Sequence, residues 1–224
     1  MNKDRMAVLA ALIGQGVVPV FYHPDPAICI EVIRACAASG AKCIEFTNRG
    51  DYAAHTFLEV ARHFDREDPS VIMGVGSIVD APTAGLYIAN GAKFVVGPIL
   101  NAEVARLCNR RKIPYSPGCG SASEISEAEE LGVEIVKVFP GTQVGGPDFV
   151  KAVLGPMPWT KIMPTGGVDP DEASIRAWFG AGIVAAGMGS KLITAKALEA
   201  KDWKAIEAKV RETVELIAKV RSGG

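Results

Sequence analysis

The chain has 224 residues, of which 49% are apolar, with 24 Lys and Arg against 25 Asp and Glu. That composition excludes a disordered or fibrous chain. A formal net charge of −1 without a basic stripe excludes the electrostatic footprint of a nucleic-acid binder. The expected partner is a small molecule. No run of about eighteen apolar residues occurs, so no membrane span is expected. The start, Met1-Asn2-Lys3-Asp4-Arg5, leads into an amphipathic stretch without the apolar core and cleavage site of a signal peptide, so a cytoplasmic location is expected. The five cysteines are odd in number and lack Cys-x-x-Cys spacing, which reads as reduced, buried thiols. No His and carboxylate spacing points to a metal.

In chain order, a helix over about 3–14 precedes short apolar runs that read as strands: Val17–Phe21, Cys43–Phe46, Val71–Gly74, Phe94–Val96, Ile113–Tyr115, Ile135–Val138, Lys161–Met163 and Ile183–Ala186. Helical segments fall between them at about 25–39, 50–64, 79–91, 101–111, 121–132, 147–154 and 170–181, and Trp203–Arg221 reads as the last outer helix. Ser121 with Glu124 has capping-box spacing, and Asp169-Pro170 reads as a cap with Pro at the first helical position. Gly40, Gly91, Gly132 and Gly182 sit where helices end in a left-handed residue. Eight strands alternating with helices predict a parallel sheet, α/β in class, closed into a (β/α)8 TIM barrel with an extra N-terminal helix over its bottom. An open doubly wound sheet is the competing architecture. No linker divides the chain, so residues 1–224 are expected to form a single barrel domain.

The barrel expectation directs attention to strand C-terminal ends, where such folds carry their reactive groups. Lys137 interrupts Val136 and Val138 and should point inward. A desolvated amine loses its proton more readily and can attack a ketone. The alternative is a lysine that snorkels to water from a strand end. Glu45 lies among Cys43, Ile44 and Phe46, where a carboxylate acquires a raised pKa suited to moving protons. Arg49, four residues on, can hold a substrate carboxylate through a bidentate fork, or it can pair with Glu45 as a structural ion pair. Pro164-Thr165-Gly166-Gly167 and Gly187-Met188-Gly189-Ser190 follow the last two strands and read either as an anion nest or as ordinary turns. His23 ends the first strand and could touch substrate. His55 and His63 fall on one helix and read as solvated or helix-packed.

Glu45-Phe46-Thr47-Asn48-Arg49, Gly74-Val75-Gly76-Ser77, Gly97-Pro98, Pro117-Gly118, Lys137-Val138-Phe139-Pro140-Gly141, Pro164-Thr165-Gly166-Gly167-Val168 and Gly189-Ser190-Lys191-Leu192 together resemble the class I 2-keto-3-deoxy-6-phosphogluconate (KDPG) and 4-hydroxy-2-oxoglutarate aldolases. The resemblance runs from about residue 5 to 220 in order. It implies a Schiff base on Lys137, general acid/base work by Glu45, and substrate contacts from Arg49, Thr47, Ser77, Pro98, Phe139 and Thr165. It also implies phosphate contacts from Gly166, Gly167, Gly189 and Ser190, no metal or organic cofactor, a homotrimer, and a place in carbohydrate metabolism. The implied substrate is a 2-keto acid cleaved to pyruvate and an aldehyde, glyceraldehyde 3-phosphate or glyoxylate. Another 2-keto-3-deoxy sugar acid or stereoisomer, or a phosphate-sugar-binding barrel without catalysis, are the alternatives. The chain departs from the family's wording at Ser77, Gly97, Ile99, Cys119–Ser123, His23 and Lys191, all at or near the barrel mouth.

Overall fold

The structure is a computed structural model, and it describes residues 4–223. Nine parallel strands are found among these residues: β1 (Val17–Phe21), β2 (Cys43–Thr47), β3 (Ile72–Gly76), β4 (Val95–Val96), β5 (Tyr115–Ser116), β6 (Gly118–Cys119), β7 (Val136–Val138), β8 (Ile162–Pro164) and β9 (Ala186–Met188). They are ordered β5-β4-β3-β2-β1-β9 in one sheet and β6-β7-β8 in the other. The two sheets meet twice. Pro117 alone separates β5 from β6, and its carbonyl accepts from Lys137 N–H at 3.0 Å. At the other seam Val184 N–H donates to the Ile162 carbonyl at 2.9 Å, and Thr165 bridges Gly187. The curled sheet therefore closes on itself as a (β/α)8 barrel. The sequence reading places the fifth strand at Ile113–Tyr115, whereas the chain pairs here over Tyr115–Ser116 and Gly118–Cys119, on either side of Pro117, which has no N–H to continue the ladder.

The pleat decides which side chains face the interior. Val17, Ile44, Phe46, Val136 and Val138 pack in the large cluster between strands and helices. Their neighbours Val18, Cys43, Ile135 and Met163 form a second cluster inside the barrel. Alternation along β2 and β7 then places Glu45, Thr47 and Lys137 on the interior side, above Cys43 and Ile135. The N-terminal helix Arg5–Gln15 contributes Val8, Leu9 and Leu12 to the interior cluster and so plugs the bottom, as expected. Arg5 fastens it through Glu134, with Nε to Oε1 at 2.6 Å, and through Asn109 at 2.8 Å.

The outer helices begin and end largely where the sequence placed them. Glu124 N–H donates to Ser121 Oγ at 3.3 Å, while the Glu124 carboxylate accepts from Gly120 N–H at 2.8 Å, one residue before the standard box partner. Gly40, Gly91, Gly132 and Gly182 all have positive φ, directly after helix ends. One expected cap is corrected. Helix Glu172–Gly180 is capped by Asp171, whose carboxylate accepts from Ser174 N–H at 2.9 Å, and not by Asp169. Asp169 instead donates its own N–H to Ser174 Oγ at 2.9 Å. A short helix, Ala195–Glu199, capped by Thr194, follows the Gly187–Ser190 loop. All five cysteines are free and buried, and no described helix is long and apolar enough to cross a membrane.

Candidate active site

The interior positions of β2 and β7 bring Glu45 and Lys137 together at the upper end of the barrel. Lys137 is only 5% exposed and Glu45 2%, so neither side chain reaches water and the snorkelling alternative for Lys137 falls. Burial pushes the Lys137 ammonium below its ordinary range, a fall opposed by the Glu45 charge and reinforced by Arg49. Burial pushes the Glu45 carboxyl up, opposed by Lys137 and Arg49. Both shifts have desolvation as their leading cause and favour neutral forms. Glu45 Oε2 is buried with no hydrogen-bond partner. An unpartnered buried acceptor is costly. Lys137 Nζ lies 4.6 Å from the centre of the Phe139 ring, two residues along the chain.

Arg49 leaves β2 in the loop after Thr47 and donates Nε to Ser77 Oγ at 3.3 Å. Its guanidinium is thus fixed by the hydroxyl from the next strand end and is free of a structural pairing with Glu45. Ser77 adopts φ 62°, a left-handed conformation unusual for a residue with a side chain. Thr47 is buried, with its hydroxyl 3.4 Å from the Phe21 carbonyl.

Above these groups opens a cavity of about 750 Å³. Among its lining residues are Thr47, Arg49, Phe139, Thr165, Gly166, Gly167, Gly189 and Ser190, so eight of the sequence-predicted site residues share one space. Glu45, Lys137, Ser77 and Pro98 do not line it. The first two are buried, and Ser77 contacts the cavity-lining Arg49. The backbone of Pro98 packs on Gly118, where a Cβ would collide with it; Gly118 is the register partner of Lys137. Thr165 Oγ1 is buried without a hydrogen-bond partner.

Gly166 and Gly167 turn consecutively with φ 89° and 81°. At Gly167 a side chain would also run into Thr142 Oγ1. Packing and backbone conformation therefore require glycine at this position whether or not an anion binds. Tyr22, Asp169 and Lys191 line the same cavity and were not assigned to the site from sequence. Tyr22 could have been found from its position just past β1, since its hydroxyl packs where Gly50 would otherwise carry a side chain. His23 is engaged locally, its Nδ1 accepting from Asp25 N–H at 3.0 Å.

A barrel with a buried lysine whose pKa is lowered beside a buried carboxyl whose pKa is raised, under a mouth lined by a guanidinium, is the architecture of a Schiff-base lyase. The comparison with known proteins agrees. The family model described as Aldolase: KDPG and KHG aldolase matches residues 9–209. The chain is 30% identical over 217 residues to 2-dehydro-3-deoxy-phosphogluconate aldolase of Haemophilus influenzae, covering 97% of this chain and 100% of that one. It is also 30% identical over 215 residues to the KHG/KDPG aldolase of Escherichia coli K12, covering 96% and 98%. A crystal structure of KDPG aldolase from Legionella pneumophila, with pyruvate captured as a covalent carbinolamine, superposes with a TM-score of 0.83 at 25% identity, covering 93% of this chain and 97% of that one. The chain belongs to the KDPG and KHG aldolase family.

Proposed function

We propose that this aldolase cleaves a 2-keto-3-deoxy acid of the KDPG or 4-hydroxy-2-oxoglutarate type through a Schiff base on Lys137, with Glu45 moving the protons. The observation that carries the reading is the shared burial of these two side chains on the barrel's interior face, with the pKa of the lysine lowered and that of the carboxyl raised.

The neutral amine of Lys137 adds to the C2 ketone, and the Glu45 carboxyl protonates the departing C2 hydroxyl as water, leaving a protonated imine and a Glu45 carboxylate. The Glu45 carboxylate takes the C4 hydroxyl proton, the C3–C4 bond breaks, and its electrons pass into the imine to form an enamine. The aldehyde leaves as glyceraldehyde 3-phosphate or glyoxylate. Glu45 returns its proton to C3, and water releases pyruvate from Lys137. Each of these steps uses only the side chains of the protein and water.

Arg49, positioned by Ser77, holds the pyruvyl carboxylate. Thr47, Pro98, Phe139 and Thr165 shape the space around C2 to C4. Gly166, Gly167, Gly189 and Ser190 bind the distal phosphate or carboxylate through backbone N–H groups and the Ser190 hydroxyl. We place the enzyme in the cytoplasm, in carbohydrate metabolism, as a homotrimer of single-domain chains. The half-exposed apolar side chains of Val79, Leu86 and Ile99 offer surface for such an assembly.

Borohydride reduction in the presence of pyruvate tests the chemistry. A stable mass increase mapping to Lys137 is expected, and an unlabelled Lys137 would overturn the assignment. Pyruvate release assayed on KDPG and on 4-hydroxy-2-oxoglutarate then ranks the substrates.

A further inference from the structure

One charged pair in the cavity has no part in the cleavage chemistry. Lys191 Nζ and Asp169 Oδ2 stand 2.5 Å apart. The two residues come from different loops. Asp169 follows the Gly166-Gly167 turn, Lys191 follows Ser190, and both line the same cavity as those residues. Asp169 is released from the capping task by Asp171, and its backbone is held by Ser174. Its carboxylate is therefore presented from a fixed point to the lysine across the gap. The side chains are 31% and 67% exposed, so the pair sits at the lip of the cavity. Exposed ion pairs contribute little to folding, and stability does not account for placing a carboxylate beside a candidate anion subsite, where it would repel the ligand.

We propose that Lys191 is a specificity-determining cation for the distal anionic group of the substrate, with Asp169 as both its tether and its competitor. In the empty site Asp169 holds the ammonium at the lip. A bound anion on the Gly166, Gly167 and Ser190 side of the cavity shares that ammonium and displaces part of the Asp169 interaction. A phosphate ester near pH 7 carries about 1.5 to 2 negative charges, so it competes with Asp169 better than a single carboxylate and far better than a neutral polyol end. The pair thus sorts substrates by the charge of the group farthest from C2. The orientation of the substrate rests on the aldolase reading given above, whereas the anion affinity of the subsite does not.

The test uses the whole chain and inorganic phosphate as the probe, with affinity measured by calorimetry for wild type, Lys191→Met, Lys191→Arg and Asp169→Asn. Lys191→Met is expected to bind phosphate about tenfold more weakly. Lys191→Arg should retain binding. Asp169→Asn, which removes the competitor and leaves the cation, should bind about threefold more tightly. Opposite signs are the signature, since a pair that merely braced two loops would weaken binding from either side. Losses in both Lys191→Met and Asp169→Asn, or an unchanged affinity in Lys191→Met, overturn the proposal. Borohydride trapping of pyruvate on the wild type runs alongside. Its failure would count against the Schiff-base reading alone, while calorimetry still decides the role of the pair.

Discussion

The Cα of Gly76 faces the Glu45 carboxylate so closely that a methyl group built on it would overlap Glu45 Oε1. The carboxylate reaches its position in the barrel because Gly76 on the adjacent strand β3, the register partner of Thr47, carries no side chain. Gly76→Ala should push Glu45 out of line and slow carbon–carbon cleavage by about 10- to 100-fold, part of what loss of a general acid/base costs. Overpacking should also lower stability by about 1–3 kcal/mol. Trapping of pyruvate on Lys137 is expected to survive. A variant with unchanged kcat would mean that Glu45 tolerates displacement and has no proton to move.

Glu45→Gln keeps the shape and removes the proton-accepting charge. Cleavage should fall by about 10²- to 10⁴-fold. Single-turnover measurement separates the steps, since imine formation should persist while aldehyde release slows. Cleavage at the wild-type rate would leave Glu45 with a structural role only.

Lys137→Met removes the nucleophile at similar volume. Pyruvate release should disappear with the borohydride adduct. The stability effect depends on pH. The lysine's pKa in the folded chain lies below its ordinary 10.5, so between the folded and unfolded values the unfolded chain binds more protons. Stability from this group is therefore fully present above the unfolded pKa and is lost as pH falls toward the folded one. Met carries no such dependence, and the variant should gain on wild type as pH drops from about 10.5 to 7. Denaturant melts at the two pH values check this, and an advantage that shrinks on acidification would contradict the burial argument.

Ser77 offers a case where stability and affinity should move in opposite directions. Its φ of 62° strains a residue with a Cβ, and relieving such a conformation gains about 1 kcal/mol. Ser77→Gly should therefore hold or raise the melting temperature while releasing Arg49 from its 3.3 Å contact. The KM for 4-hydroxy-2-oxoglutarate should rise about 3- to 10-fold, as loss of one hydrogen bond worth about 0.5–1.5 kcal/mol implies. An unaltered KM would show that Arg49 needs no help from Ser77.

Much of this could be read from local pattern. The eight βα units, the bottom helix, the left-handed glycines at helix ends and the inward aim of Lys137 all follow from relations within a few residues, such as the alternation Val136-Lys137-Val138 across a pleat. Motif wording carried the candidate residues to one mouth, and the cavity does gather most of them. What the pattern could not hold was any relation set by packing between distant segments. The sequence reading gives the helix cap to Asp169, and only the approach of Ser174 and Lys191 assigns the cap to Asp171 and the ion pair to Asp169. Gly167 has the wording of an anion nest, yet Thr142, 25 residues earlier, already requires glycine there. The gap that Gly76 leaves for Glu45 is likewise decided by a neighbouring strand. Sequence by itself determined which side chains exist at strand ends and which way they face, because backbone periodicity is local. Tertiary structure alone decided which of them touch, because side-chain contacts between loops depend on barrel closure.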